Sequence, residues 1–230
     1  MKVGIVVFPG SNCDRDVYHV LNDVLGLGAQ YVWHTEKAIN DFDALILPGG
    51  FSYGDRLRAG VIAAQSPIVE AIKKKADEGL PILGICNGFQ ILVEAGLLPG
   101  ALMRNDKLQF SCKWLKIEVL NVNTPFTNLL RLNDEISIPI AHGEGRYVIG
   151  DDKLHHLYEN NQIVFKYKDQ NPNGSTEMIA AICNEEGNVM GLMPHPERAT
   201  ETILSPTHAK SNAGLIFLSL KNFLSNYIKN

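Results

Sequence analysis

Cys86 lies in Gly84-Ile85-Cys86-Asn87-Gly88, with glycine two residues before it and two after. That is the G-x-nucleophile-x-G spacing of a nucleophile elbow, in which small neighbours let the chain turn sharply and expose the central side chain. A thiol in that position acts as a nucleophile if a base takes its proton and a third group orients the base. The sequence offers seven histidines. His19 falls in the first predicted helix, His34 at a strand end, His155 and His156 in a polar connection and His208 in a loop, all positions typical of surface or capping histidines. His142 is surrounded by glycines in Ala141-His142-Gly143-Glu144-Gly145-Arg146 and has no assigned role. His195 is the best candidate for the base: it follows a strand, is held between Pro194 and Pro196, and has Glu197 two residues on. In extended chain, residues i and i+2 point to the same side, so Glu197 can fix the imidazole's tautomer as the acid of a catalytic triad does. Taken singly, Cys86 reads as a buried structural cysteine and His195-Pro196-Glu197 as a rigid surface turn. The combination favours chemistry. No H-E-x-x-H or C-x-x-C spacing occurs, so no metal site is expected.

The elements needed to position these groups are legible around them. Pro81 to Ile85 is an apolar run of strand length, and Phe89, Ile91, Leu92 and Val93 supply a buried helix behind the turn. Backbone N–H groups at that helix start favour a thiolate. Upstream, a strand over Lys2 to Phe8, a helix from about Asp14 to Leu25 and strands over Gln30 to Trp33 and Asp41 to Leu47 alternate as in a parallel sheet with crossover helices. Phe51 to Gly60 reads as a glycine-rich polar loop, followed by a helix carrying Ile62, Ile68, Val69 and Ile72 that Pro67 interrupts. Downstream, Phe110 to Val122, Ile136 to Ile140 and Gln162 to Tyr167 are strand-like. Ile179 to Cys183 and Val189 to Met193 form a predicted hairpin, and Gly214 to Ile228 an amphipathic helix burying Ile216, Phe217, Leu220, Phe223, Leu224 and Tyr227. The expectation is an α/β fold, with a mostly parallel central sheet flanked by helices and extra antiparallel strands, in one domain over residues 1 to 230.

Composition narrows the class. With 230 residues, 45% apolar and 20% charged, and a net charge of −4, neither disorder nor a nucleic-acid surface is indicated. Lys73, Lys74 and Lys75 form the cationic run, which reads as a solvated helix face. Four dispersed cysteines, Cys13, Cys86, Cys112 and Cys183, suit a reducing compartment. Val3 to Phe8 is too short for a signal segment and no stretch is long enough to span a bilayer, so a cytoplasmic location is expected. No G-x-x-x-x-G-K-[ST] loop or G-x-G-x-x-G after a strand appears, so ATP binding by this chain is not expected.

Gly84-Ile-Cys-Asn-Gly-Phe-Gln90 with Pro194-His-Pro-Glu197 resembles the class I, triad-type glutamine amidotransferases, whose fold is flavodoxin-like. The segments PGSNCDRD (9–16), PGGFSYGD (48–55), AHGEGR (141–146) and MPHPER (193–198) are similar to the glutaminase subunits of phosphoribosylformylglycinamidine synthases, over nearly the whole chain. One departure is Arg56, where that family carries an aromatic residue. The resemblance implies Cys86 as nucleophile, His195 as general base and acid, and Glu197 as its orienting partner. It implies an oxyanion hole at Gly49, Gly50 and Asn87, with the N–H groups of Gly50 and Asn87 as donors. Gln90 falls at a glutamine-contacting position, and Phe110 and Ser111 at positions lining the same pocket. It further implies that the chain carries no cofactor itself. Its partners would be a synthetase subunit that uses ATP and magnesium, and often a small third subunit. Alternatives carried with it are another cysteine hydrolase, such as a γ-glutamyl hydrolase, and a non-catalytic binding module of the same fold.

Overall fold

The computed structural model describes residues 1–209 and 211–227, with side chains to 226. Its strands are β1 (Lys2–Val7), β2 (Gly28–Trp33), β3 (Ala44–Leu47), β4 (Ile82–Ile85), β5 (Ala101–Met103), β6 (Ser111–Val119), β7 (Glu135–His142), β8 (Arg146–Val148), β9 (Ile163–Tyr167), β10 (Ile179–Cys183) and β11 (Val189–Leu192). Nine of them form one sheet in the order β2-β1-β3-β4-β11-β10-β9-β6-β7, while β5 and β8 pair separately. The first five in that order are mutually parallel, and the rest pair antiparallel. A parallel run with strand order 2-1-3-4-5 is the flavodoxin-like arrangement, here with β11 as fifth strand. Every residue of β3, β4, β10 and β11 is buried. Strands covered on both faces lose the alternation of polar and apolar residues, which is why ALIL, ILGI and IAAIC read as unbroken apolar runs.

Parallel strands deliver their following loops to one edge of the sheet. The segments after β1, β3, β4 and β11, which contain Cys13, Gly49, Cys86 and His195, therefore converge although they are remote in sequence. The helices are α1 (Asp14–Tyr18), α2 (Pro67–Asp77), α3 (Asn87–Glu94), α4 (Asp151–Glu159) and α5 (Leu215–Tyr227). Helix α3 lies so close to β3 that a Cβ at Gly88 would stand 2.0 Å from the Leu47 carbonyl oxygen. Glycine is required there for the elbow to close.

Several elements differ from the sequence reading. The first helix is α-helical only to Tyr18 and continues as a π-helical segment, His19–Val24. Pro67 opens α2 at its first position instead of interrupting a helix, because a helix has no use for that N–H in its first turn; Ile62 precedes a separate short 3₁₀ turn, Ala63–Gln65. The connection holding His155 and His156 is helix α4, which buries only Leu157 and so lacks an apolar stripe. Both histidines are exposed and pair with Glu159 and Glu185. In α5, Ile216, Phe217, Leu220 and Leu224 are buried and Phe223 packs at the core margin. The Tyr227 side chain and Ile228 lie outside the described residues.

Candidate active site

Cys86 occupies φ 49°, ψ −103°, a conformation that a residue with a side chain rarely adopts. Its surroundings hold it there. The Cys86 N–H donates to the Leu192 carbonyl (2.7 Å), tying the elbow to the end of β11, and the Cys86 carbonyl accepts from Gln90 N–H (3.1 Å) as α3 begins. Cys86 is 5% exposed, with its Sγ 3.8 Å from the Ala141 carbonyl oxygen on β7.

His195 is brought to the same place by β11, which pairs with β4 in register through Leu192 and Ile85. Its backbone N–H donates to the Pro139 carbonyl at 2.9 Å. Its Nδ1 lies 2.6 Å from Glu197 Oε1, and both residues are 2% exposed. The pair forms, but by a different route from the one the i, i+2 argument supposes. His195 (φ −108°, ψ 88°) caps the 3₁₀ turn Pro196–Arg198 in which Glu197 sits, so a tight turn supplies the contact. Burial disfavours the charged imidazole. The Glu197 carboxylate, followed by the Cys86 charge and contacts with the Cys13 and Cys86 thiols, outweighs it and raises the His195 pKa well above the usual histidine range. His195 Nε2 is buried, beside both thiols, without a well-aligned hydrogen bond to either. An imidazole, a carboxylate able to orient it and a thiol thus share one buried site. That arrangement can carry out acyl transfer through a thioester.

Of the other expected site residues, Gly49 touches this centre directly. A Cβ at Gly49 would meet His195 Cε1 at 2.8 Å, Cys13 Sγ at 3.0 Å and Cys86 Cβ at 3.5 Å, so Gly49 is packed among all three. Asn87 is buried, its Oδ1 accepting from Ser52 N–H (3.1 Å) and its Nδ2 donating to Gln90 Oε1 (2.9 Å). Gln90 Nε2 in turn donates to the Glu144 carbonyl at 2.6 Å. The Gln90 amide is therefore engaged by protein at both ends and braces α3 against the 141–146 segment. Phe110 is 54% exposed and lies against Phe51, and Ser111 pairs with His142 in the β6–β7 ladder. A cavity of about 590 Å³ reaches the edge of His195 and Glu197 between Trp114, Ala141 and Arg198.

Two residues without an assigned role prove to belong here. His142 is buried, with Nδ1 3.1 Å from Asn105 Oδ1 and Nε2 unpartnered. Burial, then the nearby charge of His195, pushes its pKa down to about 4. Cys13 Sγ lies with a His195 ring nitrogen and a Glu197 oxygen in a group whose atoms are all within 4.8 Å of one another. These are metal-ligating residue types, but Glu197 Oε1 is taken by His195 Nδ1, and Arg198 Nη2 stands 3.2 Å from Cys13 Sγ. A guanidinium in that place opposes a second cation. No signal in the sequence marks Arg198 as a neighbour of Cys13.

A CobB/CobQ-like glutamine amidotransferase domain model matches residues 1–224. The chain belongs to that family. This glutamine amidotransferase is similar to a chain in the structure of PurLQS from Thermotoga maritima, with 47% identity, 97% of this chain and 98% of that chain covered, and a TM-score of 0.86. The amidotransferase fold also matches a putative GMP synthase subunit from Thermoplasma acidophilum (17% identity, 100% and 96% covered, TM-score 0.60). A glutamine amidotransferase from Thermotoga maritima aligns likewise (15% identity, 100% and 86% covered, TM-score 0.58). The expected class I amidotransferase fold with added antiparallel strands is the fold found. No helix among the described residues is long and apolar enough to cross a membrane.

Proposed function

We propose that this amidotransferase is the glutaminase subunit of a cytoplasmic phosphoribosylformylglycinamidine synthase in purine biosynthesis. Its full-length likeness to a chain of PurLQS carries the reading, and the buried Cys86, His195 and Glu197 supply the chemistry it requires. The Cys86 thiolate attacks the side-chain amide carbon of glutamine. The oxyanion forms against the N–H groups of Gly50 and Asn87, donors of a kind worth about 3 kcal/mol each. His195 protonates the departing ammonia, leaving a thioester on Cys86, and then activates water to release glutamate. Glu197 holds the ring in the required tautomer throughout. Gln90, Phe110 and Ser111 complete the glutamine pocket, Gln90 by bracing its wall.

The chain needs no cofactor of its own for this half-reaction. Ammonia passes to a synthetase subunit, with ATP and magnesium bound there and a small third subunit completing the complex. That partner converts formylglycinamide ribonucleotide to formylglycinamidine ribonucleotide. The test is glutamate release from glutamine by the purified chain, alone and with the synthetase subunit, ATP and formylglycinamide ribonucleotide, with Cys86→Ala as the blank. A low rate alone that rises in the complete mixture is expected. A rate equal to the blank in every mixture overturns the catalytic reading.

A further inference from the structure

The loop after β1, Pro9-Gly10-Ser11-Asn12-Cys13, has no part in the reaction just described, yet it contacts two pieces of the machinery at once. The backbone N–H groups of Asn12 and Cys13 both donate to the Gly49 carbonyl, at 3.3 and 3.2 Å. In a trans peptide the carbonyl of one residue and the N–H of the next lie on opposite sides of one rigid plane. Two donors that fix the Gly49 oxygen therefore also fix the direction of the Gly50 N–H, the proposed oxyanion donor. The loop presses on Gly50 as well. A Cβ there would stand 2.8 Å from Asn12 N, Gly10 O and Ser11 Cα. Phe51 N–H donates to the Gly10 carbonyl (2.9 Å) and Tyr53 N–H to the Pro9 carbonyl (2.6 Å), so the segment after the oxyanion peptide is stitched to the same loop.

At its end the loop reaches the base. Cys13 is 2% exposed, and its Sγ packs beside the His195 ring and against Gly49. Its S–H donates to Asn12 Oδ1 (3.3 Å) and its sulfur accepts from Arg198 Nη2 (3.2 Å), while Arg198 Nε donates to Asp16 Oδ2 (3.0 Å). The sulfur is thus held from two sides against the imidazole. Burial above all, with the Glu197 charge adding to it against opposing contacts from His195 and Arg198, keeps this second thiol protonated.

We propose that the 9–13 loop is a clamp for catalysis in which Cys13 is a positioning residue: its backbone sets the Gly50 N–H, and its sulfur holds the His195 imidazole facing Cys86. The proposal rests on the glutaminase reading of Cys86 and His195. Its test uses the complete synthetase complex carrying wild-type, Cys13→Ala, Cys13→Ser or Cys86→Ala chains, with kcat and KM for glutamine measured across pH. Displacing a catalytic group by about 1 Å costs up to about 100-fold, so Cys13→Ala is expected to lower kcat about 10- to 100-fold with KM within about threefold. The alkaline limb of kcat/KM, which reports the charged His195, is expected to move to lower pH, because the Cys13 contact favours the charged ring. Cys13→Ser keeps a smaller polar partner and is expected to recover most of the rate while leaving the limb measurably below its wild-type position. A cavity effect alone would leave the limb in place. If Cys13→Ala does not fold by circular dichroism, the limb of Cys13→Ser decides, since loss of the clamp's sulfur still displaces it measurably toward lower pH. An alkaline limb unchanged in whichever variant folds overturns the proposal. Activity retained by Cys86→Ala instead removes the glutaminase reading, and a dead Cys86→Ala beside an unaltered Cys13→Ala removes the clamp alone.

Discussion

Replacing Glu197 by glutamine keeps the volume of a buried side chain and removes one charge. The His195 Nδ1 to Glu197 Oε1 distance is 2.6 Å with both residues almost wholly enclosed. Placing the centres of the two delocalised charges about 4 Å apart, at an effective dielectric constant of about 20, makes their attraction about 4 kcal/mol. The charged imidazole is the species that protonates departing ammonia, so up to that amount is withdrawn from the transition state. At about 1.4 kcal/mol per factor of ten, kcat falls about 1,000-fold. The amide has a second effect. It can present its NH₂ to Nδ1 and leave the ring proton on Nε2, the nitrogen beside Cys86, which is the wrong tautomer for a base. The assay is glutamate release in the complete complex across pH, and the alkaline limb is expected at lower pH than in wild type.

Stability is expected to move differently from activity. Glu197 Oε2 is buried without a hydrogen-bond partner, so the folded state carries an incompletely satisfied carboxylate. Glutamine relieves that charge burial but leaves an unsatisfied amide group, a cost of about 1–3 kcal/mol, and gives up the attraction to the His195 ring. Glu197→Gln should therefore lose about 1–3 kcal/mol of stability, against nearly all of its turnover. A kcat within about threefold of wild type, with the alkaline limb in place, would refute the reasoning.

Two titrations, one buried and one half-buried, give opposite pH signatures in urea unfolding. His142 titrates at about 4 in the fold against an ordinary 6.5, so the unfolded chain takes up the proton first and stability is lost as pH falls from about 6.5 to about 4. The loss amounts to about 3 kcal/mol, and His142→Gln is expected to remove most of it, read as a smaller midpoint difference between pH 7 and pH 4.5. Asp55 is raised to about 6 by burial and then by the Glu144 charge, so its penalty is absent below about pH 3.8 and complete above about pH 6. Asp55→Asn should stabilise by about 1–2 kcal/mol at pH 8, after discounting for partial exposure, and by nothing at pH 3.5; an equal shift at both pH values would sink this assignment.

The sheet and the proposed triad were legible because each rests on local pattern. Apolar runs at strand length mark β3, β4, β10 and β11, glycines at fixed offsets mark the elbow, and prolines frame His195. Contacts made by topology carry no such mark. Arg198 and Cys13 are 185 residues apart and meet because β1 and β11 end at the same edge of the sheet. Helix α4 is hidden for the reverse reason: with Leu157 as its one buried residue, its sequence looks like a solvated connection. The Glu197 contact shows that a right pairing can follow from an incomplete geometry, since the turn at Pro196 and not an extended strand returns the carboxylate to the ring.

What holds the site together is close backbone approach, and this explains the glycines at positions 88 and 49. Cys86 is kept at positive φ by a bond to Leu192 O and by α3 lying on β3, where Gly88 permits contact with Leu47 O. The strain at the nucleophile is offset by packing that a single methyl would push apart. Gly49 makes the same demand from the other side, because the space a Cβ would need is already shared by His195, Cys13 and Cys86. A side chain there would have to enter the region where the imidazole meets the thiol. The catalytic distances are therefore set by how closely four loops can approach at one sheet edge, and the reactive residues inherit their geometry from that convergence.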